Sequence, residues 1–129
     1  MNVALWATQG LLALAFAASG SMKLVLAREA LSAKLGWVES APTWLPQFVG
    51  VMEILGAVGL ILPLATHIAP RLTPLAALLL AVVMLLAVFL HLARQELSQV
   101  IPAGLLLCLC AFVAIGRFIV LARDSASGP

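Results

Sequence analysis

The sequence predicts an all-α membrane protein: a four-transmembrane-helix bundle with a short interfacial helix between spans one and two. Of its 129 residues, 64% are hydrophobic and only 9% are charged, whereas soluble domains carry about 25% charged residues. Four apolar segments are each long enough to cross a bilayer, which takes about 20 residues. The connections between them are too short to form a separate soluble domain.

The four spans make up one integral membrane domain, and we predict them at approximately residues 3–26, 44–64, 74–93 and 100–121. The apolar run 11–21 ends in small residues, as a secretory signal peptide does. Because no basic segment precedes it and Lys23 follows directly, we expect a span rather than a cleaved signal. We assign no function to the terminal segment SASGP, residues 125–129.

One face of the first span differs from a lipid-facing surface. At about 100° per residue, five positions fall within about 80° of one another. They are Gln9, Ala13, Phe16, Gly20 and Lys23. Small and polar side chains on one face favour contact with other helices, so we predict that this face points into the bundle.

The second span carries a carboxylate, Glu53, in an otherwise apolar stretch. A charge at that depth costs about 2.5–3.5 kcal/mol on insertion scales, so such a group is normally paired or hydrated. Small residues beside it predict close helix packing. These packing positions are Gly20, Gly50, Gly56 and Ala57.

The depths of three ionisable residues predict where Glu53 finds its partner. Glu53 lies about 14 Å from Trp44 at a rise of about 1.5 Å per residue. Lys23 ends the first span and His91 ends the third, so both approach the same half of the membrane. We predict Lys23 as the partner of Glu53, with His91 and Gln47 as secondary candidates. This group is either a structural ion pair or part of a ligand pocket.

The longest connection, residues 27–43, alternates in charge through Arg28, Glu29, Lys34 and Glu39. Its apolar residues fall on the other side. This pattern is typical of a short amphipathic helix at the membrane interface, ended by a turn at Pro42. A solvated loop is the alternative.

The remaining polar residues predict neither a catalytic nor a metal site. Cys108 and Cys110 are two positions apart, so on a helix they point about 200° away from each other and cannot share a bond or a metal. We expect Arg117 and His67 to lie at the membrane interface. The net charge of +2 is too small to indicate nucleic-acid binding.

Four segments, taken in order, resemble one family of small membrane proteins, the DoxX-like proteins. ASGSMKL (18–24) resembles their G-x-x-K-L element, and EILGAVGLILP (53–63) resembles their E-x-x-G-x-x-G-L-x-L-P element. FLHLARQE (89–96) and IGRF (115–118) are similar to later parts of the same pattern. The resemblance covers almost the whole chain.

This resemblance implies a four-helix membrane bundle. The family's recurrent positions correspond to Gly20, Lys23, Glu53, Gly56, His91 and Arg117. Members of the family include small subunits of quinone-linked oxidoreductase assemblies, and distant relatives include an animal chaperone of nicotinic receptors. Because a fold does not imply a function, this range leaves several functions open.

We weigh three functions. The first is a non-catalytic subunit or scaffold of a membrane complex, of the quinone-linked redox kind that the resemblance implies, with no cofactor of its own. The second is a binding module for a quinone or lipid around Lys23, Glu53 and His91. The third is a proton-coupled small transporter.

The expected surroundings are a lipid bilayer, of the bacterial inner (plasma) membrane type. A membrane-associated oxidoreductase, another membrane protein or a second copy of the chain are the expected partners. Small residues that we place away from the core, Gly59 and Gly104, motivate the second copy.

Overall fold

A computed structural model describes residues 2–126, and in that range the chain forms six helices and no strand. The helices are α1 (Asn2–Val25), α2 (Arg28–Lys34), α3 (Trp37–Ser40), α4 (Trp44–Thr66), α5 (Leu72–Ala93) and α6 (Leu97–Ala126). Helices α1, α4, α5 and α6 are long and apolar enough to cross a membrane, which confirms the predicted fold class. The expectation for SASGP falls mostly outside the described residues.

Helices α4 and α6 extend beyond the sequence-based bounds. Helix α4 continues past Pro63 to Thr66 and ends where His67 takes a left-handed conformation with φ of 59°, a usual backbone state just after a helix. Helix α6 starts earlier and continues further than predicted, because its last turns are polar but still helical. Hydropathy therefore located the spans but not the ends of these helices.

The four long helices pack as a closed ring. Helix α1 packs on α4, α4 on α5, α5 on α6, and α6 returns to α1. Short connections make consecutive long helices antiparallel, as in other up-down bundles. The core between them is formed by Leu12, Phe16, Leu60, Leu80, Cys110 and Val113. Leucines on the outer faces, such as Leu11 (62% exposed) and Leu14 (73% exposed), are suited to contact with lipid.

Helices α1 and α4 are in close backbone contact at two glycines. A Cβ atom added to Gly20 would lie 2.7 Å from the carbonyl oxygen of Gly50, and one added to Gly50 would lie 3.0 Å from that of Gly20. Only glycine permits this backbone contact. It brings the residues three positions further on, Lys23 and Glu53, toward one another.

The small residues outside this contact have different surroundings. Gly56 faces the side chain of Leu80, and a Cβ added to Gly59 would lie 2.7 Å from the Cβ of Ala76. Gly59 therefore packs α4 against α5, although it is only half-buried and lies outside the core cluster. Gly104 has no atom within 4 Å of an added Cβ.

The connection between α1 and α4 holds two short helices, where the sequence suggested one. Leu35 is extended, with φ of −123° and ψ of 95°, and it separates α2 from α3. Leu31, Trp37 and Val38 are buried together. The Arg28 guanidinium donates hydrogen bonds to the carbonyls of Val38 (3.0 Å) and Ala41 (2.8 Å), and these bonds hold the two helices against each other.

Candidate functional site

The candidate site is centred on a buried ion pair between α1 and α4. Lys23 Nζ lies 2.6 Å from Glu53 Oε1 and also donates to Ser19 Oγ at 2.6 Å. Lys23 is 9% exposed and Glu53 only 1%. The attraction between two opposite charges at this distance offsets much of the cost of burying them. An isolated charge at the same depth would have no such compensation. Close packing at the two glycines makes this short contact geometrically available.

A cavity of about 490 Å³ lies beside the pair. All four long helices contribute to its lining, together with Leu35 and Trp37. These two residues belong to the interfacial segment, residues 27–43, which connects α1 to α4. Its apolar lining includes Phe16, Phe48, Met52, Met84, Leu90 and Leu106. The polar side chains that line it are Ser19, Lys23, Glu53, His91 and Gln99. The cavity therefore combines a large apolar surface with a small group of polar atoms.

His91 lines the cavity but does not bond to the ion pair. Its Nδ1 lies 3.1 Å from Glu96 Oε1, and the same oxygen accepts a hydrogen bond from Arg94 Nε at 2.9 Å. The hydrogen bond from His91, with help from the Arg94 guanidinium, lowers the pKa of the Glu96 carboxyl, although partial burial acts in the other direction. Glu96 therefore holds the His91 ring in place as an ionised acceptor.

Gln47 lies apart from the other predicted site residues. Its side chain is exposed and lines a separate, small cavity of about 50 Å³ together with Lys23 and Arg28. The structure thus brings Lys23, Glu53 and His91 to one cavity and leaves Gln47 outside it. The reason is angular, because Gln47 lies on the α4 surface that turns toward the interfacial segment.

The interfacial segment is tied to the far side of the bundle above the cavity. Arg94 Nη1 donates to Ser40 Oγ at 3.1 Å, and this bond joins α3 to the turn between α5 and α6. Trp37, which precedes Ser40 in α3, lines the cavity directly. The segment therefore covers part of the cavity at the membrane surface.

A second polar centre, which sequence reasoning missed, lies in the opposite half of the bundle. Arg117 is 2% exposed, so its side chain points into the bundle. Its Nε donates to Gln9 Oε1 at 2.5 Å and its Nη1 donates to Asn2 Oδ1 at 2.7 Å. Gln9 Nε2 in turn donates to the carbonyl of Leu60 at 2.5 Å. These bonds connect α1, α4 and α6.

A sequence signal for this centre existed. Gln9 lies on the inward face of α1, and Arg117 shares a face of α6 with Cys110 and Ala114, which are both buried. The Arg117 guanidinium also lies 5.2 Å from the centre of the Trp6 ring, within the range of a cation–π interaction. Its Nη2 is buried and has no hydrogen-bond partner among the described residues.

The cysteines and the other candidate ligands form no cluster. Cys110 is buried, Cys108 is exposed, and both are free. Within residues 2–126, no group of three or more histidine, cysteine, aspartate or glutamate side chains is placed to hold a metal ion.

Comparison with known proteins gives one family. No curated protein and no solved structure matches the chain. The sequence profile of the DoxX-like family matches residues 7–113, a range that includes Lys23, Glu53 and His91. The match covers most of the chain, and the fold supplies four helices able to cross a membrane. The protein is therefore a small multi-pass integral membrane protein that belongs to the DoxX-like family.

Proposed function

We propose that the protein binds a membrane-soluble amphiphile, a quinone or a lipid, in the cavity beside Lys23 and Glu53. The observation that carries this proposal is the cavity itself, about 490 Å³ in volume and next to a buried ion pair. Pockets for small molecules typically have volumes of about 300–1,000 Å³ and an apolar lining with a few placed polar groups. This cavity meets both criteria.

The charges around the cavity favour a neutral head group. Lys23 and Glu53 compensate each other, and Glu96 is paired with Arg94 and with the ring of His91. A ligand with a net charge would meet no free counter-charge among these groups. A neutral head group that forms hydrogen bonds, joined to an apolar tail along Phe48, fits the lining better.

The ion pair is better explained as part of a binding site than as a source of stability. Burying two charges costs several kcal/mol per ion, about as much as their attraction returns, so apolar residues would hold the helices together equally well. An ionisable residue inside a membrane segment is by default a candidate functional residue. The position of this pair beside a cavity supports that interpretation.

Trp37 provides a direct binding assay. The chain has three tryptophans, so the double variant Trp6→Phe/Trp44→Phe leaves Trp37, which lines the cavity, as the sole tryptophan. Titration of this variant in nanodiscs with a short-chain quinone, which quenches indole fluorescence, is expected to give saturable quenching. Linear quenching without saturation would overturn the proposal.

A matched pair of variants separates binding in the cavity from partition into lipid. Ala87 lines the cavity, so Ala87→Phe is expected to fill it and to abolish saturable quenching. Leu85, on the same helix, is 42% exposed and does not line the cavity. Leu85→Phe is therefore expected to leave the titration unchanged.

The second candidate is a non-catalytic subunit or scaffold of a membrane complex, and family membership favours it. A subunit of a quinone-linked oxidoreductase in a bacterial-type inner membrane would use such a cavity to hold quinone near a catalytic partner. Affinity purification at native expression is expected to recover an oxidoreductase or another membrane protein. Recovery of the chain alone, or only of a second copy, would count against it.

Proton-coupled transport ranks third. A carboxylate that carries protons through a transporter must exchange its partners, whereas Glu53 is held by Lys23 at 2.6 Å. If transport did occur, Glu53→Gln would abolish proton-driven uptake in proteoliposomes. Unchanged uptake in that variant would end this candidate.

A further inference from the structure

We infer that, among the amphiphiles that fit the cavity, those whose head group carries a hydroxyl, such as a quinol, bind more tightly than equally apolar molecules whose head-group oxygens only accept hydrogen bonds. A quinone belongs to the second group and binds more weakly, through its apolar parts. This inference rests on the proposed function and specifies the class of ligand. It follows from a count of the donors and acceptors that line the cavity.

The first free acceptor belongs to Glu53. Its Oε1 accepts the hydrogen bond from Lys23 Nζ, while no described residue donates to its Oε2. Glu53 lines the cavity, so the cavity is where a ligand can reach this carboxylate. A carboxylate paired with an ammonium group only accepts hydrogen bonds, so the ligand atom that meets it has to donate.

The second free acceptor belongs to His91. Glu96 Oε1 lies 3.1 Å from His91 Nδ1 and also accepts from Arg94 Nε. Because an ionised carboxylate cannot donate, the shared hydrogen belongs to Nδ1. In the neutral ring, Nε2 then carries a lone pair, and no described residue donates to it. His91 lines the cavity as well.

The strongest donor around the cavity is largely occupied. Two of the three hydrogens of Lys23 Nζ point to Ser19 Oγ and Glu53 Oε1. Gln99 and Trp37 also line the cavity and have N–H groups, which can satisfy the lone pairs of a ligand oxygen. A hydroxyl can therefore donate to an acceptor of the cavity and accept at the same oxygen, whereas an ether or a ketone leaves Glu53 Oε2 without a partner.

The expected preference is at least about tenfold, because a buried charged acceptor without a partner is costly and sites of this kind reject analogues that lack the donor. The test uses a brominated 4-alkylphenol and its methyl ether. They have the same tail and differ in one hydroxyl hydrogen. Bromine quenches tryptophan fluorescence, so both compounds can be titrated against Trp37 in the Trp6→Phe/Trp44→Phe variant.

Partition into lipid is subtracted by repeating each titration with Ala87→Phe added. The phenol is expected to bind at least about tenfold more tightly than the ether. Equal affinities would overturn this inference while leaving the proposed function intact. Saturable binding of neither compound, and of no quinone, would overturn both.

Two variants assign the preference to the named acceptors. His91→Phe keeps an aromatic ring but removes Nε2, and the double variant Lys23→Met/Glu53→Leu replaces the ion pair with apolar residues of similar length without leaving a single charge buried. Because the phenol has one hydroxyl hydrogen, which meets one acceptor at a time, at least one of these variants is expected to weaken binding of the phenol. Binding of the ether should stay nearly unchanged in both. A tenfold preference that persists in both variants would contradict the assignment.

Discussion

The two polar centres of this bundle bury charge in different ways. In the half that holds the interfacial helices, Lys23 and Glu53 form a neutral pair beside a cavity of about 490 Å³. In the other half, the Arg117 cation is held by the neutral side chains of Gln9 and Asn2 and by the Trp6 ring. The first centre has free acceptors that line a cavity, whereas the second joins three helices.

This difference indicates that buried polarity serves two purposes in one small protein. The Lys23–Glu53 centre has the features of a binding site, since its polar atoms adjoin unfilled apolar space. The Arg117 centre has the features of a structural connection, since Gln9 uses its oxygen for Arg117 and its nitrogen for the backbone of Leu60. Substitutions in the two centres should therefore affect different properties.

The largest expected effect comes from removing one member of the ion pair. Glu53→Ala leaves Lys23 buried without its carboxylate, and removing one partner of a buried pair typically costs about 3–5 kcal/mol. We expect a value near the lower end, because the long lysine side chain at the end of α1 can turn toward the interface. Denaturant unfolding in detergent measures this loss.

The double variant Lys23→Met/Glu53→Leu is the control for that experiment. Its stability should lie within about 1 kcal/mol of the parent chain, because an apolar pair of similar volume replaces the ions. A double variant as unstable as Glu53→Ala would mean that the pair is mainly a structural element, which would remove the distinction between the two centres.

The next effect concerns the glycine contact that brings the pair together. Gly20→Ala places a Cβ 2.7 Å from the Gly50 carbonyl oxygen, and because that atom belongs to the backbone, α1 and α4 have to separate. Overpacking of this kind costs about 1–3 kcal/mol. We expect a loss of stability together with weaker quinone binding. Gly10→Ala, on the same helix with nothing within 4 Å, should leave quinone binding unchanged and should not lower stability, because alanine favours a helix over glycine by about 1 kcal/mol.

A comparable loss of stability, without an effect on binding, is expected in the other half. Gln9→Leu removes an acceptor from Arg117 Nε and a donor from the Leu60 carbonyl, and unpaired buried groups cost about 1–3 kcal/mol. Unfolding measurements should show this loss while quinone affinity stays at the level of the parent chain. Loss of quinone affinity at unchanged stability would contradict the structural role of the Arg117 centre.

The sequence allowed much of this arrangement to be predicted, and the misses have two causes. Helical periodicity identified the inward face of α1, and the alternating directions of the spans placed Lys23 at the level of Glu53. Periodicity within one helix does not give the level at which residues of different helices meet. The contact of Arg117 with Gln9, which antiparallel packing brings about, was therefore not predicted. Gln47 was expected near Glu53 from its depth, although its angular position on α4 turns it toward the interfacial segment.

The cavity itself could not be predicted, because it depends on how the side chains of four helices and the interfacial segment fit together. The break between α2 and α3 at Leu35 was missed for a related reason. The burial of Trp37 and Val38 against Leu31 requires the chain to turn there, and this is a tertiary contact rather than a local preference.

The smallest expected effect is a pH dependence of how firmly the interfacial segment is held over the cavity. The His91 hydrogen bond, with Arg94, lowers the pKa of Glu96 below its ordinary value of 4.5. A carboxyl whose pKa is lower in the folded state than in the unfolded state stabilises the folded state at pH values above the unfolded-state pKa. This stabilisation is lost as the pH falls through the folded-state pKa. Trp37 should therefore become more accessible to a soluble quencher as pH falls below about 4.5.

Glu96→Gln provides the control for this pH effect, since its side chain does not ionise. In this variant, the accessibility of Trp37 should vary much less across the same acidic range. An unchanged acid transition would mean that a group other than Glu96 controls the interfacial segment.

The central claim, that the cavity beside Lys23 and Glu53 binds an amphiphile, is tested most directly by photolabelling. A photoreactive alkyl quinone, irradiated with the protein in nanodiscs and mapped by mass spectrometry, should label cavity-lining residues such as Met52 and Met84. Excess unlabelled quinone should suppress this labelling, and so should Ala87→Phe. Labelling confined to outward residues such as Leu11 and Leu55, with no competition by unlabelled quinone, would contradict the account.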